Sequence, residues 1–178
     1  MNLFLNFAAF QLGWFACVLG GANQLPWLGT LVAALIVSWH LSLAQRPGRE
    51  FTLLAAVGAA GALWDSLLVA SGWLDYPSGT LLNNTAPHWI IAMWVLFAST
   101  LNVSLRWLRG RWMLATVLGA VAGPLAYYAG AKLGGVVIVE PVLAFTALAL
   151  GWAAFVPLLI RLSTRFDGMR SQPLTAGA

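Results

Sequence analysis

The chain has 178 residues, of which 61% are hydrophobic and only 8% are charged, and its mean hydropathy is +0.84. A water-soluble domain of this length cannot bury so much apolar surface, so the composition excludes a soluble fold and leaves room for one compact membrane domain. The net charge of +4 does not indicate a nucleic-acid partner, because the arginines stand between apolar segments and not on a basic module with exposed aromatic residues.

Six apolar stretches follow one another along the chain, and each has about the 20 residues that a helix needs to cross the hydrocarbon core of a bilayer. The predicted spans are 3–21, 27–44, 51–72, 88–107, 112–131 and 142–162. No Lys or Arg precedes the first stretch, so we predict a retained helix there and not a cleaved signal peptide. The predicted fold is all-α: a polytopic transmembrane bundle of six helices in one domain, 1–162, followed by a polar cytoplasmic tail, 163–178.

The cations fall unevenly between these spans. All the arginines lie on one side of the alternating arrangement, and the single lysine, Lys132, lies on the other; the arginines are Arg46, Arg49, Arg106, Arg109, Arg111, Arg161, Arg165 and Arg170. By the positive-inside rule, the arginine-rich side is cytoplasmic. An even number of spans then predicts that both termini are in the cytoplasm.

Asp65 is a carboxylate inside the third apolar stretch. Such a group costs roughly 2.5 to 3.5 kcal/mol on insertion scales, so it is expected to face the interior of the bundle or water. Gly58, Gly61, Ala62 and Gly72 recur on the same face at helical spacing, where another helix can approach closely. Two interpretations stay open: a structural carboxylate held by a neighbouring helix, and a functional group.

Other polar side chains lie at a similar depth to Asp65 or begin spans on the same, non-cytoplasmic side. They are His88, Tyr127, Tyr128 and Glu140. With Asp65 they predict one outward-facing polar pocket, which is the candidate ligand site. The alternatives are a headgroup-level loop residue for His88 and a charge at a helix N-terminus for Glu140, which Pro141 follows.

A second polar group is predicted in the cytoplasmic half of the bundle. Asn6, His40, Asn102 and Ser104 lie at comparable depth there, and Gln11 can face either group. Amide and hydroxyl side chains commonly hydrogen-bond across membrane helices, so interhelical packing is the simplest role for this inner polar cluster.

Familiar catalytic and metal-binding motifs are absent from the sequence. It has no phosphate-binding loop, no Gly-x-Ser-x-Gly, no His-Glu-x-x-His and no cysteine pair. Two histidines and a few scattered acids do not make a metal site. We therefore predict no metal and no cofactor, and the sequence leaves any catalytic residues unknown.

Several aromatic, glycine and polar residues stand at fixed intervals along the chain: Asn6-Phe7, Gln11, Trp14-Phe15, Asp65, Pro87-His88-Trp89, Trp94, Gly119, Gly123-Pro124 and Tyr127. This pattern resembles an uncharacterised family of bacterial inner-membrane proteins, catalogued as domain of unknown function 2878. The resemblance extends over nearly the whole chain, up to about Arg161. It implies a small polytopic protein of the bacterial inner membrane and no established activity.

The sequence leaves three functions open. The favoured one is the binding or transport of a small or amphipathic molecule at the outward-facing pocket, with Asp65, His88 and Tyr127 as contacts; the size and topology are similar to those of the substrate-binding components of energy-coupling vitamin transporters. The second is an intramembrane enzyme acting on a lipid or apolar substrate, with Asp65 or Glu140 as general acid or base. The third is a structural or assembly subunit of a membrane complex.

From these hypotheses we expect membrane lipids and a small-molecule or lipid ligand as partners, and no nucleic acid. Whether the chain also has a protein partner, or assembles with copies of itself, stays open.

Overall fold

A computed structural model describes residues 2–169, and within that range the chain forms six α-helices and one very small sheet. All six predicted apolar stretches are helical. The helices are α1 (Leu3–Ala22), α2 (Pro26–Ser42), α3 (Pro47–Ala70), α4 (His88–Leu101), α5 (Trp112–Lys132) and α6 (Pro141–Arg165), with a short 3-10 helix at Arg106–Leu108. The prediction of an all-α bundle is confirmed.

Four of the described helices, α1, α3, α5 and α6, are long and apolar enough to cross a membrane. The other two are apolar but shorter, with 17 residues in α2 and 14 in α4. At 1.5 Å per residue, α4 is about 21 Å long, which is less than the roughly 30 Å of a hydrocarbon core. Large apolar side chains also stand on the surface, among them Leu35 at 72% and Val142 at 79% exposure, as expected for helices that face lipid.

Each helix packs against its neighbour in sequence to form three hairpins, and α4 lies at the centre of the bundle. It contacts α1, α2, α3 and α6, and more than half of its residues are buried. The α1–α2 hairpin closes tightly at Gly29, where a Cβ atom would lie 2.4 Å from the Cα of Cys17. By contrast, α5 packs mainly on α6 and the 3-10 helix, so it stands at the edge of the bundle.

Three helix ends differ from the predicted spans by three residues or more, and local chemistry explains two of them. Helix α4 ends at Leu101 and not at 107, because the chain turns at Asn102, whose carbonyl accepts a 2.7 Å hydrogen bond from Arg106 Nε. Helix α3 begins at Pro47 and not at 51, since proline is favoured in the first turn of a helix. Helix α6 continues to Arg165, three residues beyond the predicted 162.

A two-stranded antiparallel sheet joins two loops at one end of the bundle, which the sequence did not predict. Its strands are β1 (Leu74–Asp75), after α3, and β2 (Val137–Ile138), before α6, with Leu74 opposite Ile138. The pairing fixes the loop in which Tyr76 lies.

The opposite end of the bundle carries most of the described arginines. There the α2–α3 connection meets the end of α6 through a 3.0 Å bond from Arg46 N to Gly168 O, and Arg106 and Arg109 both reach Asp167. Lys132 lies in the last turn of α5, at the end that carries the sheet. Of the predicted tail 163–178, residues 170–178, including Arg170, lie outside the described residues.

Candidate functional site

Asp65 is fully buried and accepts three hydrogen bonds, each from a different part of the chain. Its Oδ1 atom accepts from Tyr76 OH at 2.8 Å and from Tyr127 OH at 2.7 Å, and its Oδ2 atom accepts from Trp94 Nε1 at 2.6 Å. The donors come from the loop after α3, from α5 and from α4. We call these four residues the Asp65 cluster.

Glycines on α3 and α5 allow the aromatic part of this cluster to pack. A Cβ atom at Gly61 would lie 2.0 Å from Cγ of Trp94, so only glycine leaves room for this indole beside α3. Gly123 on α5 does the same for Trp152 of α6, at 2.2 Å. The two indoles stack with ring centroids 4.7 Å apart. The small-residue face predicted on α3, together with Gly123 on α5, therefore makes room for the two stacked indoles beside Asp65.

In the Asp65 cluster, the carboxylate accepts all three hydrogen bonds and donates none. All three partners are neutral donors, and an ionised carboxylate offers only acceptors. Burial, and then the neighbouring Asp65 carboxylate, raises the pKa of Tyr76 well above its usual value, so this phenol keeps its proton and stays a donor. The arrangement holds two tyrosines and a tryptophan in fixed orientations. A ligand can touch the carboxylate only if one of them moves.

A cavity of about 640 Å³ lies beside this cluster, between α1, α4, α5 and α6. Tyr76, Trp94 and Tyr127 form part of its wall, while Asp65 lies behind them. The remaining lining is mainly aliphatic and aromatic, Gln11 contributes an amide, and none of the described residues that line it carries a charge. The volume lies within the range of roughly 300 to 1,000 Å³ typical of small-molecule sites.

The other residues predicted in the outer pocket are not among the hydrogen-bond partners of Asp65 in the described structure. His88 instead bonds through Nδ1 to Thr30 Oγ1 at 2.7 Å and stacks on Trp27. Tyr128 is half exposed beside Lys132, and Glu140 is exposed at the residue before Pro141, where α6 begins. The structure therefore brings Tyr127 to Asp65 and leaves the other three apart. Their role as ligand contacts stays a prediction.

The inner polar cluster divides into two groups. Asn6 Oδ1 accepts from the backbone N and the hydroxyl of Ser104, at 3.2 and 2.7 Å, and Asn6 Nδ2 donates to Ser99 O. These bonds fasten α1 to the end of α4. His40 and Asn102 belong to a separate group, and Gln11 lines the cavity.

Glu50 is the centre of that separate group, although the predicted spans 27–44 and 51–72 leave it in the connecting loop. It is fully buried in the first turn of α3. Its Oε1 lies 2.9 Å from His40 Nε2, and its Oε2 accepts from Asn102 Nδ2 at 2.8 Å and from Gly168 N at 2.9 Å. A signal was present: Pro47 in the first helical position would have placed Glu50 inside α3, where the helix N-terminus favours an acid.

This network continues toward the surface through two arginines. Arg109 donates to Asn102 Oδ1 and, at 2.9 Å, to Asp167 Oδ2, while Arg106 donates to both oxygens of Asp167. We call the whole set, from His40 and Glu50 to Asp167 and Gly168, the Glu50 network. It joins α2, α3, the turns after α4 and the end of α6. Among the described residues there is no group of three or more His, Cys, Asp or Glu that could hold a metal ion.

Fold and cavity together define the class: an all-α bundle with four described helices able to cross a membrane and an uncharged cavity between its helices. The chain belongs to the family described as "Protein of unknown function (DUF2878)", whose profile matches residues 3–158. The family predicted from the residue pattern is therefore confirmed. Searches of curated proteins and of solved structures returned no match.

Proposed function

We propose that this protein is a bacterial inner-membrane protein that binds a small or amphipathic molecule, for transport or for retention, in the cavity between α1, α4, α5 and α6. The observation that carries the proposal is the cavity itself, with about 640 Å³ of space and an uncharged, aromatic-rich lining. Binding sites of this kind combine an apolar wall with a few fixed polar groups. Here the fixed polar group is the Gln11 amide, and Asp65 orients three rings of the surrounding wall.

The cavity wall supports binding more directly than catalysis. A catalytic carboxylate must reach its substrate within hydrogen-bond distance. Asp65 lies behind the wall with its oxygens occupied by Tyr76, Trp94 and Tyr127. Its contribution in this arrangement is to position the three rings that a bound molecule would touch.

We propose that all six helices cross the membrane, with both termini in the cytoplasm. The short helix α4 supports this arrangement, since it is surrounded by other helices and does not need to meet the full thickness of the lipid. Arg46, Arg106 and Arg109 lie together at one end of the bundle, and the positive-inside rule supports a cytoplasmic position for that end.

Reporter fusions test the orientation. Fusions at Gly48 and Gly110 should be active only with a cytoplasmic reporter, and a fusion at Ser78 only with a periplasmic one. Activity of a periplasmic reporter at Gly48 or Gly110 would contradict the proposed topology, as would a cytoplasmic signal at Ser78.

Replacing Ala126 by Trp should remove the ligand by filling its site. Ala126 lines the cavity, so an indole at this position occupies the space between α5 and α1. The control is Val121→Trp on the same helix, at a position that is 52% exposed and outside the lining. Native mass spectrometry of gently solubilised protein should show a retained molecule in the wild type and in Val121→Trp, and at least a fivefold lower amount in Ala126→Trp. Equal retention in both variants would place the ligand elsewhere.

A further inference from the structure

We infer that the cavity accepts the hydrocarbon chain of a bilayer lipid, which enters sideways between α1 and α5. The inference rests on the proposed binding function and specifies the class of its ligand. Four features of the cavity support it: its opening, its length along α5, the bonding of its polar ring atoms and the amide of Gln11.

The cavity opens toward the lipid-facing surface along α5. Leu118 and Leu125 both line it and are also 37% and 58% exposed, so the same side chains meet the cavity and the exterior of the bundle. Helix α1 packs on α2 and α4, and α5 packs mainly on α6, so the two helices flank the gap without closing it against each other. A molecule already dissolved in the bilayer can therefore reach the cavity without crossing water.

The cavity is elongated along α5. Its lining on this helix runs from Leu118 to Gly130, which is a rise of about 18 Å at 1.5 Å per residue. A flexible hydrocarbon chain can lie along a space of this length.

Four polar side-chain groups of the wall donate to atoms outside the cavity lining. The hydroxyls of Tyr76 and Tyr127 and the indole N–H of Trp94 all donate to Asp65, and Trp89 Nε1 donates to Ser78 O at 3.0 Å. What these side chains present to the cavity is therefore mainly ring carbon. An occupant with a charge deep in this space would find no counter-charge among the described lining residues.

Gln11 supplies the polar contact that a lipid can use. Gln11 lines the cavity from α1, and its amide can donate to an ester carbonyl or a hydroxyl group. Lipid tails are already in an apolar solvent, so leaving the bilayer gains no hydrophobic energy. Binding must come from contacts with the rings of Trp14, Trp94 and Trp152 and from this hydrogen bond.

The test uses the full chain reconstituted in nanodiscs of bacterial phosphatidylethanolamine, with a small fraction of the same lipid carrying a photoactivatable diazirine in the middle of one acyl chain. Peptide mass spectrometry then locates the cross-links. Met93 reports on the cavity, because it lies on the central helix α4 and lines the space, whereas Met113 is 84% exposed and reports on bulk lipid. We expect labelling at Met93 to saturate as the probe fraction rises, and labelling at Met113 to rise in proportion.

Ala126→Trp should lower the labelling at Met93 at least fivefold, while Val121→Trp should leave it unchanged and neither should alter Met113. Absent or non-saturating labelling at Met93 in the wild type overturns the lipid inference, and this outcome depends on no variant. If Met93 is unlabelled but a molecule without a long hydrocarbon chain is retained by the wild type and lost in Ala126→Trp, the binding function stands and the lipid inference fails. If nothing is retained and nothing is labelled, both fail.

Discussion

Replacing Glu50 by Leu is expected to lower the free energy of unfolding by about 3 kcal/mol or more. The substitution leaves the buried His40 imidazole, the Asn102 amide and the Gly168 N–H without their acceptor. Unsatisfied polar groups in a buried site are costly, and here they come from three separate segments of the chain. Unfolding by increasing SDS in mixed micelles, followed by circular dichroism, measures the difference.

Two further substitutions show whether the loss of stability comes from the broken hydrogen bonds or only from the removal of a negative charge. Glu50→Gln keeps the shape and one acceptor oxygen, so its cost should be clearly smaller than that of Glu50→Leu. Glu140→Leu removes an exposed acid and should change stability by no more than about 0.5 kcal/mol. If Glu50→Leu were as stable as Glu140→Leu, the Glu50 network would not hold the helix ends together.

Hydropathy predicted the helices well because each of them is an almost continuous apolar run. It missed the start of α3, which Pro47 indicates, and it could not predict the end of α4, which depends on side chains that meet across the bundle. Asn102 ends α4 while its amide bonds to Glu50, which is 52 residues away in sequence. The two-residue strands β1 and β2 carry no pattern of their own, and only the folded loops bring them together.

The sequence predicted two members of the candidate site, Asp65 and Tyr127, and missed the others. An acid in an apolar span has to find partners, so Asp65 stood out, and Tyr127 was placed at its depth by counting residues along α5. The role of Trp94 depends on the space left by Gly61, which is visible only when α3 and α4 are packed. Glu50 was overlooked because it follows Arg49 in a segment that reads as a charged loop.

The cavity could not be predicted from the sequence, because it depends on how the helices pair. Its walls come from four helices, and α1 and α5 do not form a hairpin with each other. Asp65 connects this space to the rest of the fold, since it holds one ring from the loop after α3, one from α4 and one from α5. The hydrogen bond from Tyr127 to Asp65 joins α5 to α3 across the bundle.

Asp65→Leu should therefore both destabilise the bundle and disturb the cavity wall. It removes the acceptor of three buried donors, each of which costs roughly 1 to 3 kcal/mol when left unpaired, and partial relaxation leaves an expected total of about 3 kcal/mol. The SDS titration measures the loss of stability. Native mass spectrometry should show at least a fivefold loss of the retained ligand, because the rings lose their fixed orientation.

Asp65→Asn separates hydrogen bonding from charge. Its carbonyl oxygen can still accept from Tyr76 and Tyr127, but its amide group meets the Trp94 N–H as a second donor, so we expect a loss of about 1 to 2 kcal/mol with most of the ligand retained. Tyr76→Phe, which removes one donor and leaves the carboxylate, should cost less than Asp65→Leu. If Asp65→Asn kept wild-type stability but lost the ligand as completely as Asp65→Leu, the charge itself would be required. Asp65 would then act on the ligand directly and not by positioning the rings around it.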